Sequence, residues 1–264
     1  VNYTDYARRI RAFESLGEVA EYGQVLEGGQ PYPLLRFTLP GERWLVITSG
    51  FHGEEPAGPL TLAEHLPEVV AFARERRVGL RVYPCINPSG FEAGTRYNLS
   101  GEKPNNDFLR YEVAPGEWRG ELTGAQDYLR WALFDGGPKE TRAVRSDLAR
   151  FAPPVAALDI HQDNYQSSAL TYAYTFGDKG AYLPMMRAAE RYATVIRSQK
   201  VDEHNVTDPD GFIEYHDGSV TDWYMRQGVP YTATLETSTH TPMDACHAVN
   251  MLWIRGFIDL ASRR

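Results

Sequence analysis

Cysteine is nearly absent: among 264 residues only Cys85 and Cys246 carry thiols. That excludes a disulfide-stapled scaffold and any paired C-x-x-C metal knuckle. Cys85 lies in an apolar run and Cys246 in a helical pattern, so both are expected as buried free thiols. Positive charge is also short. The 27 Lys and Arg stand against 35 Asp and Glu, a formal charge of -8. That balance argues against non-specific nucleic-acid binding. No apolar run approaches the ~20 residues needed to cross a bilayer, so no membrane partner is expected. Val1 to Arg11 is polar and charged, with no secretory apolar segment. A cytoplasmic protein is therefore expected, with a processed secreted or periplasmic form left open because the chain begins at Val1. Also missing are a G-x-S-x-G elbow, an H-E-x-x-H helix, a P-loop and glycines at dinucleotide-fingerprint spacing.

What is present is an ordinary globular composition, 42% hydrophobic and 23% charged. A single domain of this size buries roughly three-quarters of its unfolded surface. Helical spacing covers 4–16, 57–76, 124–134, 138–151, 182–198, 219–227 and 242–262, with Asp217 or Ser219 as the cap of the sixth. Strand patterns cover 19–26, 34–39, 44–48, 78–86, 155–160, 171–176 and 231–235. The turn residues Gly28-Gly29 and Pro40-Gly41 suggest that the first three strands are antiparallel neighbours. Residues 87–124, rich in Gly, Asn and Pro but carrying Phe91, Tyr97, Phe108 and Trp118, read as an ordered functional loop. No repeat or linker interrupts the pattern. The expectation is one α/β domain over 1–264, a mixed sheet with helices on both faces.

Chemistry gathers at three strand ends. His52 and Glu55, spaced i, i+3, follow strand 44–48 on a turn that leads into a helix at Pro56. His161 follows 155–160, and Glu236 follows 231–235. The carboxyl ends of strands are where open α/β sheets bind ligands. Two histidines and one glutamate form a zinc set with an open fourth position, and one further carboxylate is then free to act as general base for a water. Glu54 points away from this pair. His65 and His247 fall in helical patterns and His204, His216 and His240 in polar loops, where surface or capping roles are expected.

Four segments resemble the zinc carboxypeptidases, the metallocarboxypeptidase family that also includes succinylglutamate desuccinylase- and aspartoacylase-like deacylases. They are His52-x-x-Glu55, Asn87-Pro88-Ser89-Gly90-Phe91 with Arg96 following, Asp159-Ile160-His161, and Gly218-Ser219-Val220-Thr221-Asp222-Trp223 leading to Leu235-Glu236-Thr237. The resemblance runs from about residue 19 to the C-terminal helix. It implies a three-layer α/β/α sandwich with a mixed central sheet. It also implies one Zn2+ on His52, Glu55 and His161, Glu236 as base for the attacking water, and Arg96 as oxyanion donor. Tyr215, one place from the family's tyrosine, would cap the substrate, and Thr221 would make a small polar side-chain pocket. The family's D-x-N-R becomes Lys103-Pro104-Asn105-Asn106: Asn105 is kept for substrate binding, and Asn106 stands where an arginine grips a carboxylate. An amide cannot form that bidentate charged pair, so Lys103, Arg110, Arg119 and Arg142 are the cations available to replace it. The lost aspartate also removes a partner of one metal histidine. The expected function is zinc-dependent hydrolysis of peptide or acyl-amide bonds. The alternatives are a deacylase of small N-acyl amino acids and a non-catalytic zinc or peptide-binding module.

Overall fold

The computed structural model describes residues 1–123 and 126–263. In chain order the elements are α1 (Tyr3–Arg11), β1 (Glu18–Glu27), β2 (Gln30–Leu39), β3 (Arg43–Ser49), α2 (Ala57–Glu75), β4 (Val78–Tyr83), α3 (Pro88–Ala93), β5 (Leu109–Ala114), β6 (Glu117–Arg119) and β7 (Arg130–Leu133). They continue with α4 (Lys139–Leu148), β8 (Ala156–Asp163), β9 (Leu170–Phe176), α5 (Leu183–Ala189), β10 (Thr194–Val195), β11 (Phe212–Ile213), α6 (Val220–Arg226), β12 (Tyr231–Ser238) and α7 (Met243–Ser262).

The main sheet runs β1-β2-β4-β3-β8-β12-β9-β10, with β11 also on β9. Its centre, β4-β3-β8-β12, is parallel, while β1, β2 and β9 join antiparallel. Strand periodicity divides the core. Leu45, Ile47, Leu158, Ile160 and Leu235 face a cluster shared with α2, α5 and α7. Val46, Tyr83 and Ala157 face a second cluster shared with α4, α6 and β5. Alternate residues point to opposite faces of a strand, so burial of both faces gives the α/β/α sandwich that the sequence suggests. Both cysteines are buried and free. Among the described residues, no helix is long and apolar enough to cross a membrane.

Four expectations need correction. The first three strands are not consecutive neighbours, because β4 inserts between β2 and β3 as a parallel partner of β3. Residues 87–124 are not one loop: they contain α3, β5 and β6. The helix expected over 124–134 is β7 at Arg130–Leu133, paired in register with β5 as Tyr111↔Trp131, and 124–125 lie outside the described residues. Packing of Trp131 and Tyr128 against this second, small sheet overrides the local helical pattern. The helix expected over 182–198 stops at Ala189, where the β-branched residues Thr194 and Val195 pair with β9 instead.

Candidate metal and substrate site

Two turns build the first half of the site by packing on each other. After β3 the chain turns at Gly50, whose φ of +67° suits glycine. Gly53, between His52 and Glu54, approaches α3 so closely that a Cβ there would lie 1.9 Å from the Gly90 carbonyl carbon. The Asn87 backbone N–H donates to the Gly50 carbonyl at 2.7 Å. The Asn87 side chain caps α3 by accepting from Gly90 N–H at 3.0 Å, with Pro88 in the first turn. The His52-x-x-Glu55 and Asn87-to-Phe91 segments, far apart in sequence, are thus one unit.

Glu55 is the hub. Its Oε1 lies 2.7 Å from His52 Nδ1 and its Oε2 lies 2.8 Å from His161 Nδ1. The Gln162 backbone N–H donates to Oε2 at 3.1 Å, and Gln162 Oε1 accepts Ala57 N–H at the start of α2. All three side chains are buried, and their ligand atoms lie within 4.8 Å of one another. Two ring nitrogens converging on one carboxylate are a donor set that fits a divalent cation with one open position. Burial pulls the His52 imidazole down to about 4, keeping it neutral. Burial opposes charge on Glu55, but the His52 and His161 rings hold its carboxyl below the usual range. On His161, Asp159 and Glu55 outweigh burial and raise the pKa.

The two histidines are supported differently. His161 Nε2 meets Asp159 Oδ2 at 2.9 Å, while Asp159 Oδ1 accepts the Thr48 hydroxyl at 2.8 Å. That contact places the Nε2 proton toward Asp159 and leaves Nδ1 as the ring nitrogen that would offer a lone pair to a bound cation. His52 Nε2 is buried with no hydrogen-bond partner among the described residues.

His161 and Glu236 lie inside β8 and β12, short of their ends, and face each other in parallel register. Glu236 is therefore on the same face as His161. Its Oε2 is buried without a partner among the described residues, and burial pushes its carboxyl well above the usual carboxylate range. Arg96 arrives from the segment after α3, its carbonyl accepting from Asn87 Nδ2 at 3.4 Å. Its Nη1 donates to Glu55 Oε1 at 3.0 Å and Glu54 Oε1 at 3.2 Å. Glu54 also accepts from Asn164 Nδ2 at 2.7 Å. Glu54 therefore tethers Arg96 to the loop that carries Asn164.

These groups open into a cleft of about 1010 Å³ that also exposes Lys103, Asn105, Asn106, Tyr215 and Thr221. Asn105 is buried, held at φ 130°, with its Oδ1 unpartnered. Asn106 turns its amide to Asp217 Oδ2 at 2.7 Å. Tyr215 donates to Glu121 Oε2 at 2.7 Å, and Thr221 shares a hydrogen bond with Thr234 at 2.9 Å. Of the four replacement cations, Arg119 is paired with Glu117 and Arg142 is exposed on α4, and neither lines the cleft. No local pattern assigns a role to Asp159, Asp163 or Tyr172, and His204, expected as a surface or capping group, is exposed. His204 lines the cleft, and the Tyr172 hydroxyl donates to Asp163 Oδ2 at 2.8 Å beside the strand that bears Glu236. The D-I-H triplet was the one available signal, for Asp159.

No family model matches the chain. In sequence it is similar to murein peptide amidase A of Escherichia coli, 29% identical over 139 residues that make up 50% of this chain and 54% of the relative. The chain thus spans about half the length of the curated relatives it matches. In structure it is similar to a candidate metallopeptidase from Shewanella amazonensis, with TM-score 0.73 and 23% identity over 97% of this chain and 92% of that one. A metallo-carboxypeptidase from Burkholderia cenocepacia gives TM-score 0.65 and 15% identity over 97% and 68%. Bovine thrombin-activatable fibrinolysis inhibitor gives 0.63 and 16% over 98% and 94%. From its outer helices to its central sheet, the chain has the fold of these metallopeptidases and metallo-carboxypeptidases.

Proposed function

We propose that this protein is a zinc-dependent hydrolase of peptide or acyl-amide bonds, of the carboxypeptidase type, acting as one catalytic domain over 1–264. One observation carries the reading: a His–Glu–His ligand set lies beside Glu236, one carboxylate oxygen of which is buried with no partner among the described residues. A pure binding module needs the first but not the second. His52, Glu55 and His161 would hold the zinc, which when bound would supply a Lewis acid and lower the pKa of a water. Glu236, whose burial raises its affinity for a proton, takes a proton from the attacking water on its carboxylate and passes it to the leaving nitrogen. Arg96, a permanent cation, faces the developing oxyanion. Asn105, Tyr215 and Thr221 position the substrate.

The cleft, about 1010 Å³, lies at the upper end of small-molecule pockets and favours a peptide over a small N-acyl amino acid. Likeness to a murein peptide amidase puts murein-type peptides first among substrates to assay. Glu236→Gln is expected to keep its zinc by elemental analysis while turnover falls by roughly 10²–10⁴. His161→Ala is expected to lose the metal. Full turnover by the Glu236→Gln variant would remove the base assignment.

A further inference from the structure

The stretch 94–108, between α3 and β5, carries Arg96 and Asn105 to the cleft and contains neither helix nor strand. Side chains hold it instead. Between Arg96 and Asn105 the chain closes a tight turn around Asn98. The Asn98 backbone N–H donates to the Glu102 carbonyl at 2.9 Å, and Asn98 Oδ1 accepts the Ser100 and Glu102 N–H groups at 3.1 and 2.8 Å. The Asn98 amide nitrogen faces inward. It donates to Glu140 Oε1 and Oε2 at 3.1 and 2.9 Å and to Glu102 Oε2 at 2.9 Å. Thr141, the next residue of α4, accepts the Asn105 N–H at 3.4 Å. The first turn of α4 thus grips the stretch on both sides of Lys103.

An amide nitrogen has two hydrogens, and here three carboxylate oxygens share them. The surroundings supply little more positive charge. Glu140 is fully enclosed, with Glu27 and Tyr22 reaching it from β1 and Glu102 from the turn. Lys139 is paired with Glu27, which also accepts the Ser100 hydroxyl at 3.0 Å. Burial, Glu27 and Glu102 all favour a proton on Glu140, and its carboxyl is raised to about 7. Ionising it would set three carboxylates, Glu27, Glu102 and Glu140, against one ammonium.

We propose that Glu140 is a positioning residue: through Asn98 it latches residues 94–108 to α4, holding Arg96 and Asn105 in the cleft while its carboxyl is protonated. Once the proton leaves, repulsion by Glu27 and Glu102 frees the turn and Arg96 loses its station. The effect on turnover rests on the hydrolase reading above; the latch itself does not.

The test is hydrogen exchange of the zinc-loaded protein at about pH 6 and pH 8.5, read at the Asn98, Gly101, Glu102 and Asn105 amides. After correction for the intrinsic pH dependence of exchange, protection is expected to fall roughly tenfold or more at the higher pH. Glu140→Gln, which cannot ionise, should abolish the fall. Glu102→Gln removes a charge that favours the Glu140 proton, so it should move the midpoint to lower pH. It serves also if the Glu140 variant does not fold. Constant protection, a fall unchanged in Glu140→Gln, or exchange no faster than that of β8 and β12 would overturn the latch. Turnover is read separately: kcat should fall about tenfold over the same pH range, and Glu140→Gln should lack that fall. A kcat that ignores the loosening would overturn the positioning role. Glu140-dependent protection with no turnover of any peptide would keep the latch and remove the hydrolase reading.

Discussion

Asp159 makes two contacts that no local pattern announces: one oxygen takes the Thr48 hydroxyl, the other the Nε2 of His161. Thr48 and Asp159 are cross-strand partners in β3 and β8, so strand pairing creates the contact. The His52-x-x-Glu55 spacing was legible because a turn is local. The support of His161 was not, because it depends on which strands are neighbours. Asp159→Ala is expected to weaken metal affinity roughly 10–100-fold, measured by chelator competition. Glu54 is a similar case. It reads as a bystander in sequence, yet it fixes Arg96 with help from Asn164. Glu54→Ala is expected to lower kcat about tenfold with little change in KM, because freeing the guanidinium disorders a donor that matters most as charge develops. An equal fall in zinc content would point instead to damage at Glu55.

At the scale of elements, the buried parallel strands and the two long helices were legible because apolar runs and helical spacing are strong signals there. The half-exposed pieces were not. Around β7, Leu129 and Leu133 face solvent while Trp131 packs inward, an arrangement that makes sense only once β5 is beside it. The cap of α6 was legible: Ser219 accepts from the Asp222 N–H, as serine at that position should. Ser219→Ala is expected to cost about 1 kcal/mol, and so to lower Tm by ~2–4 °C in a thermal melt. The core of β8 is less forgiving. Leu158, fully enclosed between strands and helices, should cost about 2–5 kcal/mol when cut to alanine. A loss below about 1 kcal/mol would mean that the neighbouring side chains collapse into the space.

At the scale of the whole molecule, one buried carboxyl away from the cleft links stability to pH. Burial raises the Glu140 carboxyl to about 7, with Glu27 and Glu102 adding to the effect, while Asn98 Nδ2 donates to both of its oxygens at 3.1 and 2.9 Å. The folded protein therefore holds this proton more tightly than the unfolded chain. The stabilisation is fully present below the unfolded value of about 4.5 and is lost as pH rises through about 7. The size is on the order of 3 kcal/mol. Glu140→Gln should flatten the fall in Tm between about pH 5 and 8; an unchanged slope would assign it elsewhere. The register that sets His161 opposite Glu236 has a further consequence. Both residues sit in strands hydrogen-bonded on each side, so separating them means breaking the middle of the sheet. Backbone amides there should exchange with deuterium only through global unfolding. The small sheet β6-β5-β7, which brings Arg110 to the cleft wall, has largely exposed edges and should exchange sooner. On warming, the cleft wall that carries Arg110 would loosen before the strands that carry His161 and Glu236.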